Sequence, residues 1–370
     1  MIKVLHYCPG FKYGGIESRL IDWYTNIDRD EIQFIVIKLN DFESDKINEL
    51  VGLGGKYYSL PPFSLRFLFG FIRGIRRIIK QEKPDIVHVH NTETGFFVLL
   101  IASLCGVKTR ILHARNVGFP KAKNKVIRYL LHLLAPIYAT DYWACSSNAS
   151  LWWFGKRRFE DSKVINNGIA LCKYKPNQAI RESIRNRYGL TNKVVIGSVG
   201  RFAYEKNMSF LLEVFTRLHS FHPETALLVV GDGMQKDELQ RICGKNGITD
   251  CVIFVGAVNN PQDYYQSMDI FLGTSLFEGF GTTAIEAQAA GLPTIISTGF
   301  PVSTVVTSYI KRLDLGLGVD CWVSEIIEWL KMDRSSEGIE LVKKAGFDTR
   351  DVAMIIEEFY KKHRRESKNE

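Results

Sequence analysis

The chain has 370 residues, 46% of them apolar and 24% charged, and carries a net charge of +8 at pH 7. That length exceeds one ordinary domain and suits two, each with apolar residues enough for a full core. No uninterrupted apolar stretch reaches the roughly 18 residues needed to cross a bilayer. The seven cysteines are scattered and form no C-x2-C pair, which indicates neither a disulfide framework nor a zinc site and suits reduced, buried thiols.

In chain order, residues 1–8 read as a buried strand rather than a signal peptide, because no leader or cleavage site follows. Strand candidates in the first half are 3–6, 33–39, 86–90, 110–113, 142–144 and 163–165. In the second half they are 194–199, 226–230, 252–255, 269–272 and 294–296. They alternate with helical runs, which predicts an α/β protein with parallel sheets covered on both faces. Ligands of such sheets bind at the carboxyl ends of the strands. A linker is expected near 168–177, where Leu171-Cys-Lys-Tyr-Lys-Pro176 breaks the pattern. The expected division is 1–172, 173–346 and a tail 347–370, with helical spacing over 347–362 that sets Val352, Ile355, Ile356 and Phe359 on one side.

The charge is unevenly spread. Residues 63–172 hold 17 basic and 6 acidic side chains, whereas 173–370 hold 24 and 25. Within 63–80, helical spacing gathers Arg66, Arg73, Arg76, Arg77 and Lys80 on one face. Phe67, Leu68, Phe71, Ile72, Ile75, Ile78 and Ile79 fall on the other. A second basic amphipathic run spans 121–134. Either helix would suit an anionic membrane surface, or would simply pack its apolar face on its own sheet. Nucleic acid is the lesser partner, since no helix-turn-helix, RNA-binding aromatic motif or zinc finger accompanies the charge.

Chemistry is most visible between Asp269 and Pro293. An apolar strand is followed by Glu278-Gly-Phe-Gly-Thr-Thr-Ala-Ile-Glu286, then a helical run to Ala290 stopped by Gly291 and Pro293. A helix N-terminus offers free N–H groups and a positive dipole end to a phosphate. Glu278 and Glu286 could accept hydrogen bonds from sugar hydroxyls on either side of it, the layout of a nucleoside diphosphate sugar. Arg201 and Lys206 follow the strand 194–199, with Gly197 and Gly200 leaving room for a ligand; the two cations suit a diphosphate, or are solvated loop cations.

Gly14-Gly15 after the first strand is not a dinucleotide fingerprint, and no Walker lysine follows it. Asp28-Arg29-Asp30 has the D-x-D form of a metal motif but reads as a solvated turn, so no essential metal is expected. Gly231-Asp232-Gly233 reads as a strand-to-helix turn, and His88 and His90, alternating on a strand, as structural.

Several segments, in order, resemble the family 4 retaining GT-B glycosyltransferases, in particular their bacterial exopolysaccharide and capsule branch. They are Gly14-Gly15-Ile16-Glu17, Pro84-Asp-Ile-Val-His-Val-His90, Ile111-Leu-His-Ala-Arg-Asn116 and Ala144-Cys-Ser-Ser147. They continue with Val164-Ile-Asn-Asn-Gly-Ile169, Gly200-Arg-Phe-Ala-Tyr-Glu-Lys-Asn207, Val229-Val-Gly-Asp-Gly233 and Glu278 to Pro293. The likeness weakens after Ser297, and 298–320 departs from the family pattern.

The resemblance implies a GT-B fold, two doubly wound Rossmann-like domains facing a central cleft, with the C-terminal helix crossing back to the first domain. It implies transfer from a nucleoside diphosphate sugar, UDP-linked, to a saccharide acceptor, lipid-linked, at the inner membrane face, with no cofactor. By the same resemblance Arg201 and Lys206 hold the donor diphosphate, and His113 lies beside the donor sugar. Glu278 holds sugar hydroxyls and Glu286 the ribose. Gly14, Gly15, Gly200, Gly279, Phe280, Gly281, Thr282 and Thr283 line the donor site. Neither glutamate is cast as a covalent nucleophile; the leaving phosphate takes the acceptor proton. A nucleotide-sugar epimerase, a phosphorylase or a non-catalytic scaffold of an assembly complex are the alternatives.

Overall fold

A computed structural model of the protein describes residues 1–10, 15–39, 45–90, 94–115 and 125–368. They form two compact units, Met1–Ile169 joined by Phe347–Glu370, and Ala170–Gly346.

The first unit contains β1 (Ile2–Tyr7), β2 (Ile32–Leu39), β3 (Lys56–Leu60), β4 (Ile86–Val89), β5 (Thr109–Ala114), β6 (Asp141–Ala144) and β7 (Lys163–Val164). All pair in parallel, in the order β3-β2-β1-β4-β5-β6-β7. Successive side chains of a strand point to opposite faces, so His6 and Tyr7 meet different helices. On the His6 side, the helices Gly15–Asn26 and Thr349–Lys368 cover the sheet and pack on each other. Their Trp23, Tyr24, Val352, Ile356 and Tyr360 join Val4, Phe34 and Ile86 in one buried core. On the Tyr7 side, the ring of Phe71 from helix Leu68–Glu82 lies 6.3 Å away.

The second unit contains β8 (Val194–Val199), β9 (Thr225–Val230), β10 (Val252–Gly256), β11 (Ile270–Gly273), β12 (Thr294–Ser297) and β13 (Ile310–Leu313). Its order is β10-β9-β8-β11-β12-β13, again parallel. Each sheet reverses its strand order once, between β1 and β4 and between β8 and β11. These are the points where doubly wound sheets bind ligands.

Several expectations are corrected. The edge strands β3 and β13 were not anticipated, because neither is a continuous apolar run: Lys56 and Tyr57 are exposed, and Lys311 and Arg312 are half-buried. Asp269 precedes β11 instead of opening it. Its carboxylate accepts from Val195 N at 2.8 Å and pairs with Arg181 and Arg185 at 2.6 and 2.5 Å. The C-terminal helix starts two residues later than expected and leaves Ile355 exposed, because the 100° step between residues turns it away from Val352 and Ile356. Gly197 leaves no room for a ligand: a Cβ there would lie 2.0 Å from Met268 Sδ, so this glycine serves packing.

Helix Leu68–Glu82 buries Phe71, Ile75, Ile78 and Ile79, while Arg66, Arg73, Arg76, Arg77 and Lys80 are exposed. Phe67, expected on the packed face, is 54% exposed, since it lies in a 3-10 turn before the helix. The second amphipathic run is helical over Lys125–Leu134, and its residues 121–124 lie outside the described residues. Here the apolar side faces outward: Val126, Tyr129, Leu130 and Leu133 are all half or more exposed.

Candidate functional site

In the second unit, the apolar run of β8 ends at Val199, and Gly200 turns the chain into a loop carrying Arg201 and Lys206. A Cβ on Gly200 would make ordinary contact with the Lys206 stem, at 3.5 Å from Cε. Gly231 has φ +139°, and a Cβ there would lie 1.9 Å from Gly200 O. The turn 231–233 therefore buttresses the 200–202 loop from behind, with Gly233 N donating to Asp232 Oδ1 at 2.8 Å and Phe202 N donating to Asp232 O at 2.9 Å.

The loop after β11 runs alongside. Leu276 N donates to Glu205 O at 2.8 Å, Thr274 Oγ1 to Asn207 O at 3.1 Å, and Glu278 N to Gly299 O at 2.9 Å. These bonds bring Glu278 and Lys206 into an ion pair of 2.5 Å, with side chains only 12% and 17% exposed. Ser275 Oγ donates to the same carboxylate oxygen at 2.7 Å. Ser275 was not singled out from the sequence; its signal was its place three residues before Glu278 at a strand end. Arg201 stands apart, 74% exposed and paired with Glu205 at 2.8 Å.

Beyond the loop, Gly281 caps helix Thr282–Ala289 with φ +81°, a left-handed backbone that L side chains rarely adopt. A Cβ there would also lie 2.6 Å from Phe300. Phe280 is buried, Gly279 is half-buried, and Thr282 and Thr283 form the first turn. Glu286 follows one turn later, buried, and accepts from the Tyr265 phenol at 2.8 Å. Burial and the neighbouring Glu286 charge push that phenol well above its usual range. Tyr265 was also missed, because it lies on a separate helix, Pro261–Ser267.

Segment 298–320 holds β13 and is tied to this helix through Gln288. That side chain donates to Thr304 O at 2.8 Å and accepts from Val306 N and Thr307 N at 3.1 Å.

In the first unit, Gly14 lies outside the described residues and Gly15 opens its helix. His113 is buried near the end of β5, its Nδ1 3.0 Å from His88 Nε2. Arg115 just beyond it donates to His90 Nδ1 at 3.2 Å and to Asn167 Oδ1 at 2.7 Å, with its guanidinium 4.6 Å from the Trp23 ring. Burial lowers its pKa to about 10. The Asp28-Arg29-Asp30 motif forms an exposed turn, in which Asp28 Oδ1 accepts from Asp30 N at 3.0 Å.

Two doubly wound parallel sheets in one chain, with a cation, a carboxylate and a capped helix at the switch point of the second, define a GT-B glycosyltransferase. The chain belongs to glycosyltransferase family 4: the family described as Glycosyltransferase Family 4 matches residues 13–172. The family described as Glycosyl transferases group 1 matches residues 180–339. The chain is 27% identical, over 97% of its length and 99% of the relative's, to the capsular polysaccharide biosynthesis glycosyltransferase CapH of Staphylococcus aureus. It is 28% identical, over 60% of its length and 59% of the relative's, to the UDP-Gal:alpha-D-GlcNAc-diphosphoundecaprenol alpha-1,3-galactosyltransferase of Escherichia coli. The crystal structure of Anabaena HepE in complex with UDP-glucose has the same fold, with a TM-score of 0.82 at 18% identity over 98% of this chain and 100% of that one.

Proposed function

We propose that this glycosyltransferase moves a sugar from a UDP-linked donor to a lipid-linked saccharide acceptor in surface polysaccharide biosynthesis, with retention at the anomeric carbon. The observation that carries the donor half is the Lys206–Glu278–Ser275 set at the carboxyl ends of β8 and β11, next to the first turn of helix Thr282–Ala289. A diphosphate arriving there would meet free N–H groups at the helix start and the ammonium of Lys206. Glu278, released from Lys206, would accept from sugar hydroxyls, and Glu286, fixed by Tyr265, from the ribose. Arg201 and Lys206 would stabilise the leaving phosphate as its charge grows. The first unit, with Gly14, Gly15 and His113, would hold the acceptor and the sugar. No metal enters this scheme, because the lysine and the helix start supply positive charge to the phosphates.

Incubation with a panel of nucleotide sugars should show slow hydrolysis of one or a few UDP-sugars, undiminished by chelator. Strict metal dependence would return the Asp28-Arg29-Asp30 turn to consideration. Donor turnover that needs inorganic phosphate, or that yields an epimer, would replace transfer by a different reaction.

A lipid-linked acceptor fits the outward apolar side of helix Lys125–Leu134 and the exposed arginines of helix Leu68–Glu82. Among the described residues no helix is long and apolar enough to cross a membrane. The reading is attachment to an anionic membrane surface, with Val126, Tyr129, Leu130 and Leu133 dipping between headgroups and each basic residue adding about 1 kcal/mol. The protein should pellet with anionic liposomes and be released as salt rises. Replacing Arg66, Arg73, Arg76 and Arg77 with glutamine should weaken pelleting, and Leu130→Gln with Leu133→Gln should weaken what salt leaves behind. Pelleting equal to that of the parent in both variants would favour a soluble acceptor.

A further inference from the structure

Four buried histidines, His6, His88, His90 and His113, lie at the carboxyl ends of β1, β4 and β5. His6 and His88 are register partners, as are His113 and Trp143. Trp23 stacks on His113 at 6.1 Å between ring centres, and His88 stacks on it at 5.2 Å. Burial holds all four imidazoles well below their usual pKa, so each is neutral, with one protonated nitrogen. Which nitrogen carries the hydrogen follows from the partners.

Arginine only donates. The bonds from Arg115, at 3.2 and 3.3 Å, therefore make His90 Nδ1 an acceptor. His90 Nε2 then holds the hydrogen and donates to His6 Nδ1 at 2.9 Å. The second chain starts on the C-terminal helix. Tyr360 Oη lies 2.6 Å from His88 Nδ1, the phenol's one hydrogen bond among the described residues. A buried hydroxyl hydrogen without an acceptor is costly, so Tyr360 donates. His88 Nε2 then carries the imidazole hydrogen and donates to His113 Nδ1 at 3.0 Å. The hydrogen of His113 is left on Nε2, which has no partner among the described residues.

We propose that Tyr360 and His88 are positioning residues that hold His113 as its Nε2–H tautomer, so that a buried, otherwise unpaired hydrogen-bond donor is kept near the carboxyl end of β5. This rests on the reading of His113 as a residue beside the donor sugar. In that place the tautomer decides the chemistry: an N–H can steady a sugar oxygen, whereas the reversed ring would offer a lone pair. The C-terminal helix, remote in sequence, thereby reaches the reacting group through two rings. A metal ion is the competing use of the cluster, since His6, His88 and His90 bring ring nitrogens within 4.8 Å of one another. It would have to displace partners already in place, because both nitrogens of His88 and of His90 are engaged.

The test is NMR of isotope-labelled imidazole nitrogens in the full chain, with signals assigned through His88→Gln and His113→Gln. The parent should show His88 and His113 each protonated at Nε2 alone. Tyr360→Phe keeps the packed ring but removes the donor. It should turn the single tautomer of His113 into a mixture and lower turnover on a donor sugar without raising the donor KM. An Nδ1–H His113 in the parent, an unchanged His113 in Tyr360→Phe, or one tightly bound zinc per chain would each overturn the proposal. If Tyr360→Phe does not fold, the parent's tautomer decides alone. The spectrum needs no substrate, so its outcome is separate from whether sugar transfer is found.

Discussion

Lys206→Ala should lower turnover by about 10²–10³-fold while changing donor binding much less. The ammonium is 17% exposed and lies in a loop pair fixed by three backbone-anchored bonds, so its charge acts in a poorly solvated place. In the free protein that charge is matched by Glu278 at 2.5 Å. When a diphosphate leaves, the growing negative charge competes for the same ammonium, and this interaction is stronger in the transition state than in the bound donor. Arg201→Ala should cost less, because its side chain is 74% exposed and already paired with Glu205. Steady-state kinetics with a soluble donor checks both. A raised KM with unchanged turnover would mean that Lys206 binds donor and transition state equally. Lys206→Ala also leaves Glu278 with Ser275 as its partner, so thermal unfolding of the variant must accompany the kinetics. Lys206→Arg, which keeps the charge but changes its shape, should recover only part of the loss.

Glu286→Gln is expected to weaken UDP binding by roughly 10–100-fold. A hydrogen bond to a charged group contributes about 1.5–3 kcal/mol, and each 1.4 kcal/mol is about tenfold. Glutamine is the informative replacement because its carbonyl oxygen can still accept from Tyr265, whose buried phenol otherwise keeps only a 3.3 Å bond to Thr283 O. Glu286→Ala should bind as weakly and also lose about 1 kcal/mol of stability, because the phenol keeps only its longer bond to Thr283 O at 3.3 Å. Calorimetry with UDP and other nucleoside diphosphates measures the first effect and thermal unfolding the second. Unchanged affinity for every nucleotide in Glu286→Gln would remove this carboxylate from the ribose site.

Two further features bear on both variants. The helix that carries Glu286 is held from outside by Gln288, whose amide satisfies backbone groups of Thr304, Val306 and Thr307. Segment 298–320 is thus fastened to the helix that carries Glu286. Glu278 depends on Gly299, whose carbonyl accepts from its N–H and whose absent side chain lets Ser275 O approach: a Cβ there would lie 2.3 Å away. Glu278 is fixed by contacts just beyond the ends of β11 and β12, and Glu286 by Tyr265 on the preceding helix Pro261–Ser267.

The amino-acid sequence alone determined the class of fold and where its central strands lie along the chain. Buried parallel strands such as β8, β9, β11 and β12 are continuous apolar runs bounded by turn residues, and such runs are readable without a partner. It also determined the strand, glycine loop and helix that carry Glu278 and Glu286, because a left-handed cap requires Gly281 and a helix stop leaves its own mark. Edge strands β3 and β13 were not readable, since Lys56 in one and Lys311 and Arg312 in the other interrupt any apolar run. Only the tertiary structure decided which charges meet. Lys206 and Glu278 are 72 positions apart and Tyr360 and His88 are 272 apart, and periodicity reports that a residue is buried, not what it is buried against. The same limit governed the two amphipathic helices, whose sequences look alike. One turns its apolar side to its own sheet and the other turns it outward, because the side a helix buries is set by the elements that pack against it.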